Sequence, residues 1–432
     1  MSDQNIKAIL PKDLQELHIF LGSHNQAVFD LSPKVSQINL YESIDSPFVY
    51  GELTVIDNDD LINKVPLVGQ EKLQIYYKYK NTVVDLVFYV SEYIDIKVLT
   101  ESAGGFVISF TSVKEFYNHT SVFSKSYKGR ATEIIQKIHK EYLKEDVEIL
   151  STSGTSHQMV YPYIKAYDAI NMLITNTYAV DSTPVFLYDT VNSPGAKLQS
   201  LGDMWGTSNP VIVIKNANIV NTDTQKGQTG QAHRDISKFT EGADTQVIKR
   251  SFSVLDNIAD GRYASNITTI DLSNKYYEEV TFDYQKNTKI LHSTLKDNIS
   301  PAFKFNDKGL NKTHTAYHHL FVKDGKAFES ESVGNLYNVD SLNKAAMMSY
   351  YSRMNDTSIV ISGDNNPNLW AGKLVNLTFK RMKPNLGGDD DIDKVNSGTY
   401  LCRSIKHEIR NMKYSINIEC SRYGINKEAE NI

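Results

Sequence analysis

The feature that most constrains this chain is a strict two-residue alternation of apolar and polar side chains, interrupted at short intervals by polar turn residues. It runs through Gly51–Ile56 (GELTVI), Lys72–Tyr77 (KLQIYY), Val83–Val90 (VVDLVFYV), Tyr93–Leu99 (YIDIKVL) and Phe106–Phe110 (FVISF). A period of two sends successive side chains to opposite faces of a strand. The breakers Asp57-Asn58-Asp59-Asp60, Lys78–Asn81 and Gly104-Gly105 recur at the spacing of an antiparallel barrel or sandwich. An all-β first domain is expected over residues 1–118.

The period changes after His119. Ile134, Ile135, Ile138, Tyr142 and Leu143 recur at helical spacing within Ala131–Lys144, with Glu133 in the first turn where it suits the helix dipole. A second amphipathic helix is predicted over about Ala166–Tyr178 and a strand at Pro184–Asp189, so residues 119–215 read as an α+β domain. Residues 221–244 are polar, rich in Gly, Thr and Gln, and without periodicity, which marks an exposed arm. Strand patterns resume at Thr245–Val254, Ile267–Leu272 and Glu279–Tyr284, followed by a helix at about Ser341–Met354. Strands close the chain at Ser358–Ser362, Lys373–Phe379, Thr399–Ile409 and Tyr414–Cys420, before a polar tail at 426–432.

The closing strands repeat the grammar of the opening ones. Leu53–Ile56 leads into an Asp/Asn cluster, then Leu67-Val68-Gly69 and Lys72–Ile75; Ser358–Ile361 leads into Asp364-Asn365-Asn366, then Leu369–Gly372 and Lys373–Leu377. Each is followed by a polar insertion and a long hairpin. A duplication would place two similar β units in one chain, and three chains around a three-fold axis would then present six.

Composition sets outer limits. At 432 residues the chain exceeds the roughly 250–300 that one core serves, so several domains are expected. No stretch approaches the roughly 18–20 apolar residues of a membrane-spanning helix, and the first residues lack the basic and apolar runs of a secretory signal, which predicts folding in the cytoplasm. A formal charge of −5 argues against duplex nucleic-acid binding by bulk charge. The 26 tyrosines suit strands, but an AT-rich genome would give the same bias. Cys402 and Cys420 lie symmetrically about a turn at Asn411. Straight alternation puts Leu401, Ile405 and Ile409 on one face and Cys402 on the face away from Cys420, so no disulfide is expected.

Ser43–Ile56 (SIDSPFVYGELTVI), Tyr127–Ile138 (YKGRATEIIQKI), Phe252–Tyr284 and the Leu369–Leu377 hairpin resemble the baseplate central hub proteins of T-even-like contractile phages and, more distantly, the N-terminal part of type VI secretion spike proteins. The resemblance implies a mainly β, α+β chain with two tube-like antiparallel β-barrel domains, assembling as a trimer with pseudo-six-fold symmetry. The barrels would occupy 1–118 and 216–285 with 355–425, separated by the α+β domain at 119–215 and an α+β insertion at 286–354. It further implies a structural role without enzymatic activity or cofactor. The homotrimer would hold a spike or tail-lysozyme protein on one side and tail-tube initiator or tube proteins on the other. Tape-measure protein would pass through its lumen, and wedge or inner-baseplate proteins would surround it. Its place would be the virion tail baseplate, assembled in the host cytoplasm. The hub or spike base of a type VI-like or bacteriocin device, and a peripheral receptor-binding module, are the alternatives. The arm at 221–244 and the acidic insertion Gly387–Lys394 (GGDDDIDK) depart from the family pattern.

No nucleophile elbow, phosphate loop or Cys-x-x-Cys pair occurs. His314, His318 and His319 have the spacing of helical metal ligands, but no Glu follows the first His, and a solvated or interface group is the better reading. Asp389, Asp390, Asp391 and Asp393 lack the alternating spacing of a calcium loop and read as a solvated hairpin tip. Phe48, Tyr50 and Trp370 are the candidate interface residues. Trp370 suits a core, whereas Phe48, beside Pro47 in a loop, suits either a core or contact with a neighbour.

Overall fold

The alternation of the first hundred residues becomes seven strands in a computed structural model of the chain: β1 (Glu16–Gly22), β2 (Val28–Asp30), β3 (Val35–Ser43), β4 (Tyr50–Asp57), β5 (Lys72–Tyr79), β6 (Thr82–Thr100) and β7 (Ala103–Thr111). The structure describes residues 14–22, 27–57, 67–100, 103–153, 156–206, 212–217, 243–250, 253–271, 275–288, 304–305, 308–309, 316–322, 336–354, 357–364, 366, 368–379, 393–422 and 424. The polar arm as far as residue 242 and the acidic insertion as far as residue 392 lie outside them. Every second side chain of β4 and β5 is buried, as a half-buried strand requires. The two strands expected at 83–90 and 93–99 are one. A bulge between Val90 and Glu92 resets the alternation without ending the strand.

The middle of the chain is α+β. It comprises α1 (Val113–Thr120), β8 (Val122–Arg130), α2 (Ala131–Ile138) continuing as a π turn at His139–Leu143, β9 (Glu148–Ile149), β10 (Ser156–Lys165), α3 (Ala166–Thr175), β11 (Val185–Tyr188), β12 (Lys197–Ser200) and α4 (Leu201–Gly206). Ile134, Ile135 and Ile138 pack against Ile170, Leu173 and Leu187 in a core of their own. The helical periodicity at 131–144 therefore forms, and Lys144 in the left-handed region ends it.

The remaining elements are β13 (Ile212–Ala217), β14 (Ala243–Arg250), α5 (Val254–Ala259), β15 (Ala264–Asp271), β16 (Tyr276–Asp283), α6 (Tyr284–Asn287), β17 (Lys304–Phe305), β18 (Lys308–Gly309), β19 (Ala316–Val322), α7 (Leu336–Met354), β20 (Thr357–Asp364), β21 (Leu374–Phe379), β22 (Gly398–Arg410) and β23 (Lys413–Arg422). Strands β15 and β16 pair with β19 in a separate three-stranded sheet. Its core joins Ile267 and Phe282 to Ala346 and Tyr350 of α7.

Most other strands form one continuous sheet in the order β14-β20-β23-β22-β3-β4-β7-β6-β5-β1-β2, with β21 beside β22 and β13 beside β21. Among the described residues this sheet is open, so the two closed barrels that the resemblance implies are not seen within one chain. The run β3-β4-β7-β6-β5 and the run β14-β20-β23-β22-β21 share chain order, sheet order and an antiparallel sense throughout. Even loop hydrogen bonds repeat. Gln70 N donates to Val90 O and Val90 N to Glu71 O; Gly372 N donates to Cys402 O and Cys402 N to Lys373 O. Both long strands then bulge, β6 after Val90 and β22 after Cys402. On this topological footing Leu53 corresponds to Ile361 and Lys72 to Leu374, which shifts the sequence alignment while keeping its order of elements. The sixth strands differ, since β1 pairs β5 antiparallel and β13 pairs β21 parallel.

The bulge corrects one expectation. With Arg403 as the extra residue, Cys402 stands directly across from Cys420 and both are buried in the core that holds Ile405 and Ile409. Both are free thiols. Straight alternation would have separated them; the inserted residue inverts the parity at one end of β22.

Candidate functional site

The two repeats meet where β22 pairs β3, from Ser404 opposite Ser43 to Arg410 opposite Gln37. Alternation explains what lies inside this seam. Ile38, Leu40 and Glu42 share one face of the first strand, and Ile405, His407 and Ile409 share one face of its partner, so a carboxylate and an imidazole occupy positions that otherwise carry apolar residues. Glu42 and His407 side chains are fully buried, with Nε2 3.6 Å from Oε2.

Buried charge needs partners, and Glu42 finds them in two other parts of the chain. It accepts a hydrogen bond from Ala371 N at 2.8 Å, in the loop before β21, and another from Val191 N, in the α+β region. His407 Nδ1 lies 2.8 Å from the Tyr414 hydroxyl, which lies 3.2 Å from that of Tyr77. Burial holds both phenols above the ordinary tyrosine value, so both remain donors. Tyr77, Tyr414 and His407 therefore form one hydrogen-bonded chain that leads from the phenols to the imidazole, whose Nε2 faces Glu42. One carboxylate thus ties together both repeats and the α+β region. At the rim, Arg403 Nε meets Asp45 at 2.6 Å and Ile44 N donates to Arg403 O at 3.0 Å.

A second tie fixes α1. Lys114 Nζ is 2.8 Å from Glu145 and also pairs with Asp189, all but out of water. Burial opposes its charge, but Asp189 and Glu145 outweigh that and raise its pKa. Lys197, lowered by burial, is clamped by Thr190 Oγ1 and the Gly195 carbonyl, at 3.2 and 3.1 Å. Burial likewise pushes the Cys402 thiol well above its usual value, which leaves it protonated and a poor nucleophile.

Two of the sequence candidates meet in one cleft of about 560 Å³ between the outer face of β4 and β7 and helix α1, where Phe48, Tyr50, Phe110 and Phe116 supply the apolar wall and Glu52 and Glu115 the charge. Phe48 is buried in the α+β core with its ring 5.6 Å from Tyr167, whereas Tyr50 is 48% exposed and stacks on Tyr41 at 5.2 Å. Trp370 lies elsewhere, half-buried, with Lys373 Nζ 4.4 Å above its ring. His318 and His319 fall on strand β19, not on a helix, and His314 lies outside the described residues. The Asp393 carboxylate accepts from Val395 N, Asn396 N and Asn396 Nδ2, which engages it in its own turn. No group of three or more His, Cys, Asp or Glu among the described residues is placed to hold a metal, and no helix there is long and apolar enough to cross a membrane.

No protein-family model and no curated protein matches the sequence. Solved structures do. The tail protein from Neisseria meningitidis MC58 is similar over 94% of this chain and 96% of its own, with a TM-score of 0.54 at 10% identity. The fold is that of phage tail proteins. The 43 kDa tail protein of prophage MuSo2 from Shewanella oneidensis matches over 93% of this chain and 97% of its own, with a TM-score of 0.50 at 10% identity. A third match is the E. coli c3393 protein, described as a component of the type VI secretion system. It covers 92% of this chain and 76% of its own, at a TM-score of 0.46 and 7% identity. At such identities the likeness concerns the course of the backbone.

Proposed function

We propose that this chain is the structural hub of a contractile tail, a homotrimer without enzymatic activity. It holds a spike or tail-lysozyme protein, adapts three-fold to six-fold symmetry, and seeds a tail tube through whose lumen DNA and tape-measure protein pass. The observation that carries this reading is the repeated strand order within one continuous sheet, because three chains of two equivalent units present six. The tail-protein fold supports it, and the Glu42 seam supplies the rigidity such a platform needs. The chain divides into a first repeat, the α+β region, and a second repeat interrupted by an insertion in which β15 and β16 belong with β19 and α7. In the assembled virion the hub sits on the tail axis among wedge or inner-baseplate proteins.

Co-expression with the spike protein from the same gene cluster tests the reading. The expected product is one complex containing three copies of each chain; failure of the two to associate would overturn it. The exposed Tyr50 cleft favours a second reading, a peripheral receptor-binding module, and antibody labelling in negative stain separates the two by axial or peripheral position.

A further inference from the structure

Cys402 and Cys420 are the only cysteines of the chain, and the bulge in β22 sets them opposite each other. The backbone bonds around Cys402 define what kind of pair this is. Its amide donates to Lys373 O and its carbonyl accepts from Gly372 N, both at 2.8 Å. Both polar groups of Cys402 therefore point to the loop before β21, and none is left for β23. In an antiparallel ladder this makes Cys402 and Cys420 a non-hydrogen-bonded pair, whose Cα atoms come to about 4.5 Å and whose side chains stand closest. Disulfides span roughly 4.4–6.8 Å between Cα atoms, so such a pair can be bridged without moving either strand. Directly opposed side chains share a face, and the Cys402 thiol makes a side-chain hydrogen bond with Cys420.

The first repeat shows that the fold does not need thiols here. Its equivalent pair, just before the bulge in β6, is Val90 opposite Phe110. Each is 1% exposed, so an ordinary apolar pair fills the same register.

We infer that Cys402 and Cys420 form a dithiol–disulfide site whose oxidation staples β22 to β23. The oxidant is a small disulfide of the glutathione class. A thiolate formed at one cysteine attacks a sulfur of the oxidant, and the other half leaves as a thiolate that takes up a proton. The second cysteine attacks the mixed disulfide, the remaining half leaves as a thiol, and the Sγ–Sγ bond forms. The chain loses two hydrogens with their two electrons, and the oxidant is reduced to two thiols.

Both cysteines are 0% exposed, so attack waits on local opening of the strands and the reaction is slow. A slow site stays reduced where the chain is made and closes later in an oxidising medium. That timing rests on the reading of the chain as a virion part; the chemistry of the pair does not. The staple also has a structural consequence. At the bulge β22 changes neighbour from β21 to β3, and farther along the same two strands His407 meets Tyr414. A covalent tie at that point holds β23 against β22 where the seam begins.

The test equilibrates the full chain with oxidised glutathione, in buffer and at urea concentrations below the unfolding transition, where local opening is frequent. Thiols counted in denaturant are expected to fall from two per chain to none, with a mass loss of two hydrogens. The urea midpoint is expected to rise and to return with dithiothreitol, since a cross-link restricts the unfolded chain. Cys402→Ala and Cys420→Ala should each show no such rise. Thiols that stay free throughout, a lasting mixed disulfide at one cysteine, or covalent dimers on a non-reducing gel would overturn the site. So would a midpoint that rises equally in either variant. Light scattering of the same samples keeps the two readings apart. A disulfide within a monomeric chain would uphold the site and count against the hub, whereas a trimer whose thiols never close would overturn the site and leave the hub standing.

Discussion

Glu42 is a residue on which both repeats and the α+β region converge. Removing its carboxylate leaves the Val191 and Ala371 amides without an acceptor and His407 without its counter-group. Each stranded buried donor costs about 1–3 kcal/mol. Glu42→Ala should therefore lower the unfolding free energy by about 2–5 kcal/mol in urea melts, while Glu42→Gln, which keeps an accepting oxygen, should lose clearly less. The tyrosine relay has a pH signature. Burial raises Tyr77 and Tyr414 above the ordinary value of 10.0, so the folded chain keeps protons that the unfolded chain releases. Their contribution is complete below about pH 10 and is lost as the pH rises beyond it. Urea midpoints should stay flat from neutrality to about pH 9 and fall above pH 10, while tyrosinate absorbance, followed alongside, rises. A fall that sets in below that range would contradict the network.

At the scale of elements, the close approach of β3, β4 and β7 depends on a glycine. A Cβ at Gly51 would lie 2.3 Å from the Asn39 carbonyl oxygen and 2.6 Å from the Phe110 ring, whereas one at Gly104 meets only the Asp57 carbonyl at 4.0 Å. Gly51→Ala should lower the thermal midpoint markedly, by the roughly 1–3 kcal/mol of an overpacked site, and Gly104→Ala should leave it nearly unchanged. Alternation makes most of this sheet legible. The strands at 51–56, 72–77, 399–409 and 414–420 form within a residue or two, and the turn at Asn411 is the two-residue turn with both central residues at positive φ. What alternation hides is the bulge, because one extra residue leaves no compositional mark. For that reason straight alternation puts Cys402 on the wrong face and divides β6 in two. Helix α1 and strands β8 and β10 are likewise hidden, since short polar-rich elements take their pattern from the core they meet. The seam network does leave a signal. Glu42 between Leu40 and Ile44, and His407 between Ile405 and Ile409, are polar residues on an apolar parity, and that misfit by itself marks a buried polar pair.

At the scale of the whole molecule, two runs of five strands with the same order meet in one sheet that is open among the described residues. The tail-protein fold extends over nearly the full chain, while the buried polar clusters hold elements together and burial keeps the Cys402 thiol protonated. The echo of the opening strands in the closing ones is readable in the sequence; its consequence, that the two repeats share one sheet, is not, because which edges meet depends on strand order and not on pattern. The proposal that the chain acts as a trimeric hub is tested most directly by the mass of the assembly in solution. Light scattering of the purified chain, alone and with its spike, is predicted to give three times the 48.8 kDa chain mass for the hub component; a single chain under both conditions would contradict it.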